Sequence, residues 1–283
     1  MEGRAEAPGA GTVLNALACG RGAAFAIDVT TEATVRLSGA DAVTGEIAGA
    51  PEADTTLIER CVSLATDRYG DGEGGTVRTE SEVPMAAGLK SSSAAANAAV
   101  LATLDALGVA EEVDRVEACR LGVRAAREAG VTVTGAFDDA SASMLGGVTV
   151  TDNRADELLD RGTVDWDVLI WTPPERAFSA DADVERCERI AEVAEGIAEQ
   201  ALAGQYARAM TTNGFAFSAA LGFPTEPAME ALPAAEGVSL SGTGPSVVAV
   251  GDRDSLEEVR STWDERQGTT RLTTTRRKGA QRT

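Results

Sequence analysis

The chain of 283 residues contains no histidine, and Lys90 and Lys278 are its only lysines. Without an imidazole, the sequence excludes His-based catalytic triads, zinc sites with histidine ligands and histidine pH switches. Aromatic residues are scarce at 4%, while the chain has 52 alanines, so its core is expected to consist of small side chains. An apolar fraction of 43% is enough to bury such a core, which excludes a disordered acidic chain.

Positive charge is also scarce. The chain has 45 acidic and 25 basic residues, and five of the basic ones fall in residues 271–283, so the first 270 residues carry a net charge of −25. Because nucleic-acid binding depends on clustered Lys and Arg, we expect no nucleic-acid partner. The acidic, Arg-rich surface favours a protein adapted to concentrated salt, with an ordinary acidic protein from a GC-rich genome as the alternative. The basic tail is expected to start as a strand and end frayed.

Signals for export or membrane insertion are missing. No apolar run approaches the roughly 18 residues of a membrane-spanning helix, and residues 1–11 do not resemble a signal peptide. Four cysteines at positions 19, 61, 119 and 187 are too far apart for C-x-x-C motifs and are expected to be buried thiols. We therefore predict a cytoplasmic protein.

Hydrophobic periodicity predicts an α+β fold of alternating strands and helices. The predicted strands are 12–18, 23–29, 33–38, 75–81, 147–151, 167–172, 238–241, 246–250 and 270–275. The main predicted helices are 54–69, one of about 15 residues that starts at the serines 91–93 and ends at Gly108, 111–129, 184–203 and 254–266. Starting at residue 167, the order resembles a split β-α-β layer. A polar stretch at 153–165 predicts a boundary between two domains, 1–155 and 156–283.

The segment 84–108, PMAAGLKSSSAAANAAVLATLDALG, is the most unusual in the chain. Gly88 permits a turn, and three serines begin an Ala-rich helix that ends at Gly108. A glycine-bearing loop that leads into a helix N-terminus favours anion binding, because N–H groups there are unpaired and the helix dipole is positive. A Ser-capped core helix is the alternative interpretation. No Walker A or G-x-G-x-x-G motif is present.

Two other glycine-rich segments contain polar residues. GAFDDASASMLGG at 135–147 is expected to place Asp138 and Asp139 in a turn before a strand, and SLSGTGPSVVAVG at 239–251 is expected to form a tight turn between two strands. Taken alone, the first is typical of an exposed turn or a helix cap, and the second of a hairpin with glycine at positive φ.

Together, the three segments resemble the GHMP kinase superfamily over essentially the whole chain. PMAAGLKSSSA is similar to the superfamily's P-x-x-x-G-L-G-S-S-A phosphate loop, SGTGPS to its C-terminal glycine motif, and APGAGTVLNAL at 7–17 to its N-terminal motif. The GLKSSSA form, TVLNALACGRGAAFAI and GAFDDA most resemble the archaeal shikimate kinase family. This resemblance implies an N-terminal ribosomal-protein-S5-domain-2-like lobe and a C-terminal ferredoxin-like lobe. It also implies ATP-dependent phosphorylation of the 3-hydroxyl of shikimate, in aromatic amino acid biosynthesis.

The resemblance implies ATP and Mg²⁺ as cofactors and a role for each motif residue. The nucleotide-binding residues would be Met85, Ala86, Ala87, Gly88, Leu89, Lys90, Ser91, Ser92, Ser93, Ala94, Ala95, Gly242, Thr243 and Gly244. Ser92 would supply the hydroxyl near Mg²⁺. Asp138 would accept the proton of the acceptor hydroxyl or orient it, with Asp139 as its close competitor.

The chain departs from the family pattern at two positions. Lys90 stands where glycine is usual, and Ala10, Gly11 and Thr12 stand where many relatives have a lysine. Cationic help in catalysis is therefore expected from Lys90 and Arg21. An acceptor with a carboxylate also requires an arginine, but the sequence does not indicate which of its 23 arginines binds it.

Other interpretations stay open at this stage. The acceptor could be homoserine or mevalonate, or the protein could be a non-catalytic regulator of the same fold. Asn15 and Asp28 are polar positions in apolar segments, and each could contact a ligand or serve the structure. A monomer and a homodimer are both compatible with the sequence.

Overall fold

The structure is a computed structural model, and it describes residues 1–83, 88–132, 134–175 and 182–283. Its strands are β1 (Glu2–Leu14), β2 (Arg21–Leu37), β3 (Val43–Ile47), β4 (Gly75–Ser81), β5 (Val148–Asp152), β6 (Glu157–Gly162), β7 (Asp167–Thr172), β8 (Gly237–Leu240), β9 (Val247–Gly251), β10 (Thr269–Thr274) and β11 (Gln281–Arg282). Its helices are α1 (Thr56–Tyr69), α2 (Ser91–Ala106), α3 (Arg115–Glu128), α4 (Phe137–Leu145), α5 (Val184–Glu188), α6 (Ala191–Leu202), α7 (Tyr206–Leu221), α8 (Glu226–Ala231) and α9 (Arg253–Trp263). The predicted α+β class is confirmed.

The first sheet is organised around the 17-residue strand β2. Its order is β11-β1-β2-β4-β3, and β5 pairs with the other end of β2 and carries β6. Helices α1 to α4 pack on one face of this sheet. Helix α2 lies so close to β1 that a Cβ on Gly3 would be 2.2 Å from the Ala102 carbonyl oxygen. The small side chains of α2 thus allow a close approach that larger residues would prevent.

The second sheet has the order β10-β7-β9-β8, with antiparallel neighbours throughout. Successive residues of β7 face opposite sides, as expected for a strand. Val168 and Ile170 belong to the core shared with α6, α7 and the first sheet, whereas Leu169 and Trp171 pack with α8 and α9. The chain order β7, helices, β8, β9, α9, β10 is the predicted split β-α-β arrangement and gives the ferredoxin-like lobe.

The basic C-terminal tail is ordered, so the expectation of a frayed terminus is wrong. After β10, Thr275 bridges to Ile27, and β11 pairs with β1 at the edge of the first sheet. Arg276 forms an ion pair with Glu6, and Arg282 pairs with Asp105 at 3.4 Å. The tail is held because its positive charges meet the acidic first lobe.

Several predicted elements differ from the observed ones. Strand β1 begins at Glu2 and ends at Leu14, because its many Ala and Gly residues give a weak strand signal, and the predicted strand 12–18 is wrong at both ends. Strand β3 was not predicted. The predicted helix 184–203 is two helices, α5 and α6, with a break at residues 189–190.

The stretch 153–165 is not simply a linker. Strand β6 lies within it and pairs with β5 in the first sheet, so the change of sheet falls between Gly162 and Asp167. The division into domains 1–155 and 156–283 stays a prediction. None of the helices in the described ranges has the length and apolar character needed to cross a bilayer. The four cysteines are buried free thiols, as predicted.

Candidate active site

The three glycine-rich motifs, far apart in sequence, meet at one place. Ser241 Oγ donates a hydrogen bond of 2.8 Å to the Gly88 carbonyl. Gly88 has φ +76°, and a Cβ there would be 2.2 Å from the Ser241 carbonyl oxygen, so only glycine fits. The N-terminal motif completes the junction, because the Gly242 N–H donates to Thr12 Oγ1 at 2.7 Å and Asn15 Nδ2 donates to the Gly242 carbonyl at 2.9 Å.

Helix α2 begins at this junction. Lys90 is its N-cap and has φ 64°, the left-handed conformation that glycine adopts without cost. Its side chain makes no capping hydrogen bond, so the N–H groups of Ser91, Ser92 and Ser93 have no partner within the helix. None of these N–H groups has a hydrogen-bond partner among the described residues, so the helix start can offer them, with the positive end of the dipole, to an anion.

Asp138 and Asp139 lie in the first turn of α4, which corrects the expectation of a turn before a strand. Gly135 with φ +87° and Ala136 with φ 51° turn the chain into this helix. Strained backbone at non-glycine positions tends to occur at functional sites, and Lys90 and Ala136 both border the same cleft.

Asp138 is held in place by Asn153, which follows β5. Asn153 Nδ2 donates to Asp138 Oδ1 at 2.7 Å, and Asn153 Oδ1 accepts from the Asp138 N–H at 3.1 Å. Thr151 Oγ1 fixes the amide orientation by donating to Asn153 Oδ1 at 2.7 Å. A Cβ on Gly22 would be 2.4 Å from Asp138 Oδ2, so β2 leaves room for this carboxylate.

Asp139 forms an ion pair with Lys90, with 2.9 Å between Oδ1 and Nζ. Both side chains are nearly buried, at 11% and 9% exposed. Burial, and then the neighbouring Asp138 charge, raise the pKa of Asp139 above its usual value, while Lys90 opposes the rise. Asp138 and Asp139 thus have different partners, an amide and an ammonium group.

These groups surround a cleft of about 400 Å³, measured with its open mouth. Its lining consists of Asn15, Ala16, Leu17, Lys90, Thr132, Thr134, Ala136, Asp138, Asp139, Gly242 and Thr243. The lining therefore combines Lys90 at the start of α2, the glycine turn at 241–246 and the two carboxylates. This arrangement can hold an anionic group beside a carboxylate.

The structure brings most of the predicted site residues together. Lys90, Asp138, Gly242 and Thr243 line the cleft. Gly88 and Leu89 directly precede Lys90, the serines 91–93 begin α2, and Gly244 follows Thr243 in the turn that contacts Gly88. Met85, Ala86 and Ala87 lie outside the described residues.

Three predictions do not match the geometry. The Ala94 N–H donates to the Lys90 carbonyl at 3.0 Å and the Ala94 side chain is fully buried, so Ala94 offers no group to a phosphate. Ala95 follows in the second turn, where N–H groups bond within the helix. Arg21 is absent from the lining of the cleft, and its guanidinium pairs with Glu195 at 3.0 Å, so its position does not support a catalytic role.

Sequence reasoning missed Asn153 and Thr134, and it left Asn15 undecided. Asn153 occurs in the polar stretch interpreted as a boundary, and its only signal was an amide directly after a strand. Asn15 both lines the cleft and fixes the glycine turn, whereas Asp28 is 60% exposed and lies 3.6 Å from Arg276. Only the fold reveals these contacts, because the partners are distant in sequence.

Comparison with known proteins agrees with this geometry. Residues 56–147 match a family model described as the GHMP kinases N terminal domain. A homoserine kinase from Cytophaga hutchinsonii has a TM-score of 0.75 at 18% identity, covering 100% of this chain and 97% of that chain. The Methanococcus jannaschii mevalonate kinase has a TM-score of 0.78 at 13% identity, covering 97% and 98%. The fold is that of the GHMP kinases.

Much stronger similarity links the chain to two archaeal proteins. It is 70% identical to the shikimate kinase of Halobacterium salinarum over 284 residues, covering 100% of both chains. It is 56% identical to the shikimate kinase of Methanosarcina mazei over 266 residues, covering 93% of this chain and 90% of that protein. The chain belongs to the archaeal shikimate kinase family, which confirms the resemblance found in its motifs.

Proposed function

We propose that the protein transfers the γ-phosphoryl group of ATP to the 3-hydroxyl of shikimate, giving shikimate 3-phosphate and ADP. The observation that carries this proposal is the pairing of Asp138 with Asn153 beside the free N-terminus of α2. The Asp138 carboxylate suits an acceptor hydroxyl, and the N–H groups at the start of α2 suit a polyphosphate. Membership of the shikimate kinase family supports the choice of acceptor.

Asp138 is the group proposed to receive the hydroxyl proton. As the hydroxyl oxygen forms its bond to the γ-phosphorus, the bond from that phosphorus to the leaving ADP oxygen breaks, and the proton passes to the carboxylate. Asn153 occupies Oδ1 and fixes the carboxylate orientation, which leaves Oδ2 for the acceptor. A fixed base avoids the entropic cost of positioning it during the reaction.

The phosphate side of the site depends on α2 and Lys90. The free N–H groups of the first turn bind phosphate oxygens, and the glycine turn at 241–246 closes the loop from the other side. Lys90 Nζ lies between Asp139 and Gly242, since a Cβ on Gly242 would be 2.7 Å from it. Lys90 can therefore reach a phosphoryl oxygen from its present position and replace the lysine missing after the N-terminal motif.

Mg²⁺ fits the residues present as a partner of ATP. Among the described residues, no group of three or more acidic or Cys side chains could hold a metal ion. Mg²⁺ is commonly held by substrate phosphates with only one or two protein oxygens, and it would neutralise phosphate charge here. The exposed Ser92 at the start of α2 would supply such an oxygen.

The sequence-based predictions of a cytoplasmic location, adaptation to high salt and a monomer or homodimer belong to this proposal as well. The location and the salt adaptation follow from composition and the missing export signals, whereas the sequence leaves both oligomeric states open. The proposed reaction itself requires Mg-ATP and the acceptor.

An acceptor screen tests the proposal. Purified protein in molar KCl with Mg-ATP is offered shikimate, homoserine and mevalonate separately, and ADP release is measured by a coupled assay. We expect release with shikimate and not with the other two. Turnover of homoserine or mevalonate without shikimate would contradict the acceptor, and ATP binding without turnover of any acceptor would favour a regulator.

A further inference from the structure

A second cavity adjoins the active-site cleft. It is lined by Ala16, Leu17, Ala18, Gly20, Arg127, Thr134, Asn153, Arg154 and Glu188. The two spaces share Ala16, Leu17 and Thr134, so they adjoin, and we call the two together the trough. Asp138 lies in the first part, and the arginines lie in the second.

Arg154 is positioned by the same turn that positions the catalytic carboxylate. Asn153 follows β5 and bonds Asp138, while its N–H donates to the Gly20 carbonyl at 2.9 Å. The next residue is Arg154, whose N–H donates to Asp152 Oδ1 at 2.8 Å. Its side chain lies over Gly20, where a Cβ would be 2.5 Å from Arg154 Nε. Of these two consecutive residues, Asn153 holds Asp138 in the first part of the trough, and Arg154 lines the second part.

The guanidinium of Arg154 makes no ion pair or hydrogen bond with any described residue, although the chain has 45 acidic side chains. The neighbouring Arg127 differs, because Asp156 binds it through both carboxylate oxygens at 2.6 and 2.7 Å. That pairing raises the pKa of Arg127, and the Asp156 carboxylate compensates the positive charge of the guanidinium. Arg21 is likewise paired with Glu195. Arg154 is the lining arginine that remains available to an anionic ligand.

We propose that Arg154 binds the carboxylate of the hydroxy-acid acceptor while Asp138 engages its reacting hydroxyl. This inference rests on the proposed function. A guanidinium can bind a carboxylate through two parallel hydrogen bonds, which sets both the orientation and the identity of the ligand. Binding to Arg154 selects acceptors that have an acid group and orients the reacting hydroxyl toward Asp138. Glu188 on the same trough is a carboxylate and would repel the acid group, which favours the end occupied by Arg154.

The test compares wild type with Arg154→Gln and Arg154→Lys. Each is assayed in molar KCl with Mg-ATP against shikimate and against the ring triol in which hydrogen replaces the carboxyl group. Arg208→Gln is the matched control, because Arg208 is also exposed, forms no ion pair among the described residues and lies outside both cavities.

We expect Arg154→Gln to lower kcat/KM for shikimate by roughly 10- to 100-fold, as for loss of a charged hydrogen bond. The KM for ATP and the melting temperature should stay at wild-type values. Wild type should prefer shikimate to the triol, Arg154→Gln should lose that preference, and Arg154→Lys should fall between them. The control should match wild type.

A wild-type preference for shikimate that persists in Arg154→Gln would overturn the assignment of Arg154. An equal rise in the KM for ATP and for shikimate would do so too, since it would indicate a structural effect. If wild type phosphorylates another hydroxy acid and ignores shikimate, the proposed function fails. In that case, kcat/KM of wild type and of Arg154→Gln is measured for that acid and for its amide, and this comparison tests the role of Arg154 separately.

Discussion

Replacement of Lys90 by methionine should destabilise the protein in a pH-dependent way. The Lys90–Asp139 pair is 2.9 Å long with side chains only 9% and 11% exposed. Removing one partner of a buried pair typically costs about 3–5 kcal/mol where the other group stays charged, because that charge is left without compensation. Methionine keeps the length of the side chain and the backbone strain at φ 64°, so the change isolates the charge.

The pH dependence follows from Asp139. Its pKa in the folded protein is raised above the unfolded value near 3.8, so at pH values between these two pKa values the folded state holds a proton that the unfolded state has lost. Stability due to this group is therefore present at low pH and is lost as pH rises through the folded pKa. Without Lys90 that pKa rises further, and the variant loses about 1.4 kcal/mol relative to wild type for each pH unit between the two folded values. The cost of Lys90→Met should be larger at pH 8 than at pH 5.5.

Urea unfolding in constant molar KCl, without nucleotide, measures this cost at both pH values. The double variant Lys90→Met/Asp139→Asn should recover much of the loss and show little pH dependence. Arg189→Met is the control, because the Arg189–Glu185 pair is exposed and worth only about 0.5 kcal/mol. An equal cost for Lys90→Met at both pH values, with no recovery in the double variant, would refute the reasoning.

Three other predictions concern Gly88 in the phosphate loop, the proposed base Asp138 and the negatively charged surface. Gly88→Ala should raise the KM for ATP in steady-state kinetics and lower stability by about 1–3 kcal/mol, because its Cβ would clash with the Ser241 carbonyl oxygen. Gly108→Ala is the control and should leave the KM for ATP unchanged, because Gly108 has the same φ of +76° but open space around it. Asp138→Asn should lower kcat by about 10²- to 10⁴-fold with ATP binding retained in calorimetry, and unchanged turnover would move the role to Asp139. The melting temperature should rise from low to molar KCl because salt screens the net charge of −20, and a flat series by scanning calorimetry would contradict salt adaptation.

Local signals in the sequence were enough for the outline of the fold. The Ala-rich helix after Gly88, the split β-α-β order from residue 167 and the turn at 241–246 depend on neighbouring residues and were predicted. Strand β1 and the helical start of α4 were not, because small residues such as Ala, Gly and Ser carry weak periodicity and tertiary contacts decide their conformation. The acidic first lobe orders the basic tail, which local reasoning could not show.

By itself, the sequence determined the chemistry available to this protein. With no imidazole, it offers carboxylates, hydroxyls, backbone amides and a single lysine near the motifs, and the order of those motifs indicated the family. The tertiary structure decided which groups work together. Asn153 holds Asp138 by a hydrogen bond, and Lys90 pairs with Asp139. Arg21 and Arg127 form ion pairs with acidic residues, whereas Arg154 has no partner among the described residues. Such choices depend on distances between residues far apart in the chain, and those distances exist only once the sheets and helices have packed.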